Sequence, residues 1–222
     1  MSVPTPQHLL ISGGEGALAR ALRTEFSRTD AVIHAPGRKA LDVRDETQID
    51  AYFSRLDRLD LLIANAGLTR DGAVTSLSPD DFRAVVDTNL RGAFLCARAA
   101  LKLMVKQRSG HLLFIGSRAA KHGTRGQSLY AAAKAGLVGL AQSLAKEYGA
   151  RNIRCNVVLP GFLETPLTAP LSAARREEIR AEHALGRFNT VENAARAIAF
   201  LARLDHVSGQ VFTLDSRMDR WT

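Results

Sequence analysis

Short apolar runs alternate along the chain with longer stretches whose apolar residues recur every three or four positions. His8-Leu9-Leu10-Ile11 reads as a strand, Leu18 to Phe26 as a helix and Ala31-Val32-Ile33 as a second strand. Leu59 to Ala64 is a third clear strand, and Pro79 to Gln107 is long and helical. Leu112 to Ile115 (strand), Ser128 to Tyr148 (helix), Ile153 to Leu159 (strand), Val191 to Leu204 (helix) and Val211 to Leu214 (strand) complete the pattern. Continuously apolar strands are buried on both faces, and their alternation with helices implies a parallel sheet covered on both sides. The expected fold is α/β, a doubly wound parallel sheet whose ligands sit at the C-terminal ends of the strands.

One place departs from this rhythm. Ile33 and Leu41 stand eight positions apart, separated mostly by Ala35-Pro36-Gly37-Arg38-Lys39. A parallel crossover normally takes a dozen or more residues and a helix. The helix after the second strand is therefore expected to be missing, with Leu41-Asp42-Val43 a short extended piece. No repeat, linker or low-complexity tract interrupts residues 1–222, so a single domain is expected.

Composition narrows the class. The chain is 46% hydrophobic, which is enough for a core, and no stretch reaches the ~20 apolar residues a spanning helix needs. Residues 1–7 lack the basic-then-apolar pattern of a secretory leader, so a cytoplasmic location is expected. Cys96 and Cys155 fall in apolar, regular segments and read as buried free thiols, not as a disulfide or metal pair. The formal charge of +8 favours acidic partners. Basic and acidic residues are interleaved and no arginine-rich tail is present, so nucleic-acid binding is not expected.

The first strand runs into Ser12-Gly13-Gly14-Glu15-Gly16-Ala17-Leu18-Ala19 and then a helix. A glycine turn at a helix N-terminus can present N–H groups and the helix dipole to a phosphate. Such turns are also glycine-rich for steric reasons alone, and the residues leave both readings open. Tyr130 and Lys134 lie four apart in an alanine-rich helical segment, hence on one face. Bringing a phenol from ~10 to about 7 takes ~4 kcal/mol. A lysine charge ~4 Å away at an effective dielectric of ~20 supplies about that. The pair reads either as a proton-transfer device working near neutrality or as an ordinary amphipathic pair.

Ser117, Tyr130 and Lys134 resemble the Ser…Tyr-x-x-x-Lys signature of the short-chain dehydrogenase/reductase family, and the thirteen-residue gap from serine to tyrosine matches its common spacing. Asn65-Ala66-Gly67, Asn89 within Thr88-Asn89-Leu90-Arg91-Gly92, and Pro160-Gly161 resemble further family motifs in the family's order. The resemblance implies a Rossmann-like oxidoreductase of a ketone or its alcohol, using a nicotinamide cofactor. It makes Tyr130 the proton donor, Ser117 the hydroxyl that orients the substrate oxygen, and Lys134 the group that lowers Tyr130 and holds the nicotinamide ribose. Asn89 would fix a water behind Lys134, or else be a capping or kink asparagine. Cofactor contacts are implied at Ser12, Gly13, Gly16, Ala17, Leu18, Asp42, Val43, Asn65, Ala66, Gly67, Pro160, Gly161, Phe162, Leu163 and Thr165. Asn65 reads equally as a brace for the end of the sheet.

A narrower resemblance, carried by Asn65-Ala66-Gly67-Leu68-Thr69-Arg70-Asp71 and by residues 127–144 and 156–165, is to the β-ketoacyl-acyl-carrier-protein reductases. It implies a 3-oxoacyl thioester substrate on a carrier protein or CoA, a place in fatty acid biosynthesis, and a symmetric homo-oligomer, dimer or tetramer, built on the Ser128–Tyr148 helix. It also places Arg108 and Arg151 where that group docks its acidic acyl-carrier protein, at the rim of an active-site mouth that can be a neighbouring subunit's. Ordinary surface charge is the equal alternative for both. Rival readings are a reductase of another ketone, sugar or secondary alcohol, and a non-catalytic cofactor-binding protein.

Three features depart from the family. Ala17 and Ala19 stand where glycines are expected, the helix after the second strand is lost, and the end reads Leu214-Asp215-Ser216-Arg217 instead of Asp-Gly-Gly. An acid at the end of the second strand would bind the ribose of NAD and repel a 2′-phosphate. Here His34-Ala35-Pro36-Gly37-Arg38-Lys39 carries two bases and no acid, which favours NADP(H) over NAD(H), through Arg38 and Lys39.

Overall fold

The computed structural model describes residues 6–218. Six parallel strands form one sheet, in the order β2-β1-β3-β4-β5-β6. They are β1 (His8–Ile11), β2 (Val32–His34), β3 (Leu61–Ala64), β4 (Gly110–Ile115), β5 (Ile153–Leu159) and β6 (Val211–Thr213). Alternate residues face opposite ways along a strand. Leu9, Ile11, Leu61, Ile63 and Leu113 therefore meet α1 (Ala17–Phe26) and α8 (Val191–Arg203) on one side. Leu10, Leu62, Leu112 and Phe114 meet α2 (Glu46–Phe53), α4 (Gly92–Gln107) and α6 (Ser128–Tyr148) on the other. This two-sided burial is what the unbroken apolar strands encode.

The crossover after β2 differs from the expectation. Residues 35–45 hold no helix, and Gly37 turns the chain, its carbonyl accepting from Ala40 and Leu41. Residues 41–43 pair with no strand. Leu41 and Val43 are buried pegs in the core and Asp42 points outward between them, which mimics the alternation of a strand. A helix does follow β2, but later. It is α2, started by Asp45, whose carboxylate accepts from the Gln48 N–H at 3.1 Å.

The long helical stretch from Pro79 is two helices on one axis, joined by a wider turn. Ser78 and Asp81 cap α3 (Pro79–Val86) reciprocally, with proline at its first position. Asp87–Arg91 then forms a π turn, closed by the Gly92 N–H on the Asp87 carbonyl, and α4 follows. Two further helices are α5 (Ala119–His122) and α7 (Ala173–Ala181). Cys96 and Cys155 are buried and free. Among the described residues no helix is long and apolar enough to cross a membrane.

Candidate active site

The chain leaves β1 toward β2 on one side and reaches β3 on the other, so a crevice opens where the order reverses. A cavity of about 1380 Å³ lies there, at the C-terminal ends of the strands. Its first wall is the glycine turn. Gly16 caps α1 with no side-chain hydrogen bond and no acid in the first turn, which leaves the N–H groups of the helix start available to an anion. Gly13 has φ +68°, and a Cβ there would stand 2.9 Å from Ala66 Cα. The backbone of one loop thus packs directly on the other.

Ser12 is buried and joins these loops, its hydroxyl accepting from the N–H groups of Asn65 (3.0 Å) and Ala66 (3.1 Å). Asn65 donates back to the Ser12 carbonyl at 3.0 Å. Ser12 and Asn65 therefore act as a brace. Gly13, Gly16, Ala17 and Leu18 line the cavity together with Asn65, Ala66 and Gly67. Neither Ala17 nor Ala19 closes it. Ala17 is a lining residue and Ala19 is buried in the apolar layer beneath.

Ser117, Tyr130 and Lys134 meet on the opposite wall. The Ser117 and Tyr130 hydroxyls share a hydrogen bond. Lys134 is buried and donates from Nζ to the Ile115 carbonyl at 2.8 Å, its ammonium 5.6 Å from the centre of the Tyr130 ring. Burial brings Lys134 down to about 8. Burial also pushes the Tyr130 phenol up to about 12. The Ser117 hydrogen bond opposes this and the Asp71 carboxylate adds to it. Lys134 is thus not among the groups that govern the Tyr130 phenol here, which corrects the lowering expected from helical spacing. The ammonium faces the ring and a carbonyl, and loss of hydration dominates the phenol.

Asn89 lies behind this group, buried in the π turn. Its amide donates to the carbonyls of Leu68 (2.8 Å) and Val85 (2.9 Å). Its Oδ1 is buried without a hydrogen-bond partner and stands 2.9 Å from where a Gly67 Cβ would be. The position serves a kink and also aims an acceptor at the Lys134 side of the cavity.

Pro160, Gly161, Phe162, Leu163 and Thr165 line the third wall. Gly161 takes φ +87°. Arg38, Asp42 and Val43 reach the cavity at the β2 end, whereas Lys39 is exposed and does not line it. Asp42 is clamped by Arg44 at 2.7 Å and Arg38 at 3.2 Å, and the Arg44 hydrogen bonds hold its carboxyl far below the usual range. Two residues missed in the sequence also belong here. Glu15 packs its carboxylate on Gly37, where a Cβ would meet Glu15 Cδ at 2.5 Å, and Arg217 enters from the end of β6. Both stand in stretches already singled out, the glycine turn and the Leu214-to-Arg217 end, but their contacts come from distant loops that no local pattern reveals.

Arg108 and Arg151 are not at this rim. Both are exposed just before the N-terminal ends of β4 and β5, on the edge of the sheet opposite the cavity. Parallel strands put their preceding helix ends there, so neither arginine can serve the mouth of its own chain.

The glycine cradle and the uncapped α1 start suit a dinucleotide phosphate, and the orphaned Asn89 acceptor beside Lys134 suits an ordered polar network at a nicotinamide ribose. The profile of a family described as Enoyl-(Acyl carrier protein) reductase matches residues 13–216. The chain is 39% identical to a 3-oxoacyl-acyl-carrier-protein reductase of Thermotoga maritima, over 93% of this chain and 95% of the relative. It is 36% identical to the reductase of that name from Synechocystis, over 95% of this chain and 78% of the relative. The Salmonella typhimurium protein is 36% identical over 80% of this chain and 75% of its own length. The chain belongs to the short-chain dehydrogenase/reductase family, nicotinamide-dependent oxidoreductases acting on CH–OH and C=O groups.

Proposed function

We propose that the protein reduces a 3-oxoacyl thioester to the 3-hydroxyacyl thioester with NADPH. The observation that carries this reading is the hydrogen-bonded Ser117–Tyr130 hydroxyl pair with buried Lys134 behind it. Two hydroxyls converging on one point suit a carbonyl oxygen that gains charge as it is reduced. The names of the relatives supply the thioester class. The C-terminal strand ends and the glycine cradle would hold the cofactor, which supplies the hydride when bound.

Tyr130 donates its proton to the developing alkoxide, and Ser117 donates a hydrogen bond to the same oxygen. A phenol held protonated is in the correct state for this direction of reaction. Lys134, lowered toward neutrality, returns a proton to the phenolate, and Asn89 Oδ1 accepts from a water that resupplies Lys134. NADP(H) is preferred because β2 ends without an acid and Arg20, Arg38 and Arg44 line that end of the cavity. We place the protein in the cytoplasm as a symmetric homo-oligomer. Arg108 and Arg151 then serve an acidic carrier protein docked at a neighbouring subunit's mouth.

Turnover of acetoacetyl thioesters, followed by NADPH absorbance, tests the reading. Tyr130→Phe keeps the ring and should lower turnover about a hundredfold or more, within the range for a general acid, while NADPH binding persists. Near-normal turnover by the variant, or no thioester reduction by the unaltered protein, rules the reading out.

A further inference from the structure

The C-terminal departure from Asp-Gly-Gly builds a wall of the cavity. Arg217 lines the same cavity as Ser117 and Tyr130, and its side chain is only 10% exposed. It is held on Asp215, whose side chain is fully buried, by Nε at 3.0 Å and Nη2 at 2.6 Å. Its own N–H donates to Asp215 Oδ1 at 3.0 Å, and Nη1 lies 3.9 Å from Glu182, just past α7. Asp215 is itself packed on Gly161, where a Cβ would come within 2.7 Å of Asp215 Cβ.

The surrounding backbone is braced as well. Ser216 accepts from the Ala184 N–H through its carbonyl (3.0 Å) and from the Leu185 N–H through its hydroxyl (3.3 Å). Asn189 donates to both the Pro160 and Leu214 carbonyls, at 2.9 and 2.7 Å. The Pro160–Gly161 turn, the end of β6 and the segment after α7 are thus one braced unit, with the guanidinium filling its inner side. Two glycines in place of Ser216 and Arg217 would supply neither the hydroxyl bond nor the guanidinium.

Charge decides what this wall accepts. One guanidinium stands between two carboxylates, so the group carries no surplus positive charge to attract an acid. A long alkyl chain pushed against it would desolvate an ion pair without replacing its partners. We propose that the acyl chain runs toward the α7 side of the cavity, where Arg217 and Glu182 close it, and that Arg217 is a specificity-determining residue restricting the protein to short 3-oxoacyl thioesters. The inference rests on the reductase reading above.

The experiment compares kcat/KM for the acetoacetyl and 3-oxododecanoyl thioesters of N-acetylcysteamine, which carry no carrier or CoA charge. The unaltered protein should favour the short substrate by about tenfold or more, the scale of selectivity a pocket wall can impose. Ser216→Gly with Arg217→Gly should reduce that preference to about threefold or less, mainly through KM for the long substrate. Should that variant fail to fold, Arg217→Lys keeps the charge against Asp215 and shortens the reach, and should shift the ratio the same way to a lesser degree. Calorimetric binding of the two 3-hydroxyacyl products should follow the same order. An indifferent chain-length profile in the unaltered protein, or an unchanged one in a folded variant, overturns the role of Arg217 while leaving the reductase reading intact. Failure to reduce either thioester overturns both.

Discussion

Glu15 sets the sharpest residue-level test of cofactor choice. Its carboxylate lies against Gly37, beside the arginines expected to welcome a 2′-phosphate. A negative charge there opposes a phosphate dianion and tolerates a ribose hydroxyl. Glu15→Gln should therefore tighten NADPH severalfold and change NADH little, as read by equilibrium titration with each cofactor. Equal gains for both would remove Glu15 from the discrimination. Far below the cavity, His111 is buried, with Nε2 3.0 Å from the Asn156 amide and Nδ1 3.3 Å from the Ala202 carbonyl, and burial brings it down to about 3. The unfolded chain takes up this proton near the ordinary histidine value of 6.5 and the folded chain only near 3. Stability from His111 is thus complete above pH 6.5 and declines as pH falls toward 3. Thermal melts of the unaltered protein and of His111→Gln should diverge less at pH 5 than at pH 8. A constant difference would show that the imidazole is not held neutral.

At the scale of elements, the π turn between α3 and α4 ties helix geometry to chemistry. Widening the helix at Asp87–Arg91 turns Asn89 inward and frees its Oδ1, which a regular helix would not do. Asn89→Ala leaves the Leu68 and Val85 carbonyls without their donor, a loss of roughly 1–3 kcal/mol for buried groups. Denaturant melts should show that loss, and turnover should fall further than NADPH affinity. A variant with full turnover would confine Asn89 to a structural role. Sequence pattern read these elements unevenly. β1, β3 and β4 were legible because burial on both faces leaves apolar runs, and β5 was legible from Val157-Val158-Leu159 although Arg154 and Asn156 interrupt its start. α2 and α7 were not, because α2 buries only Ile49 and Phe53 and α7 only Ile179 among charges. The site followed the same logic. Ser117, Tyr130 and Lys134 stand in a recognisable spacing, whereas Glu15 and Arg217 acquire meaning only when distant loops meet. The helical spacing of Tyr130 and Lys134 placed them together correctly but could not weigh the loss of hydration that governs the phenol.

For the whole molecule, assembly and carrier docking are one question. α6 presents Ala132, Ala135, Gly139 and Ser143 to solvent, Gly139 has open space where a Cβ would be, and Phe94 on α4 is 42% exposed. Small exposed residues along one helix suit close helix pairing across a two-fold axis. If the proposed oligomer is built on this face, Gly139→Trp should split it without unfolding the subunit, as followed by sedimentation and circular dichroism; a monomeric unaltered protein would overturn that assembly. Arg108→Glu with Arg151→Glu should raise KM for an acyl-carrier substrate severalfold, spare an N-acetylcysteamine thioester, and lose its effect at high salt. If the split subunits still discriminate carrier from small thioester through these arginines, docking does not cross a subunit boundary.

The shortened crossover after β2 has a consequence in time. Among the described residues β2 is a three-residue edge with no further strand beside it, and Arg38 and Arg44 hold Asp42 from the water side. An adenosine resting there would be gripped by screened charges instead of a helix-backed slot, and such grips weaken within the ~8 Å screening length of physiological salt. Capture of the anionic dinucleotide should therefore slow steeply as ionic strength rises, while its lifetime, set by short-range contacts, changes less. Spent cofactor would leave quickly by this open side, so exchange should not limit the turnover cycle.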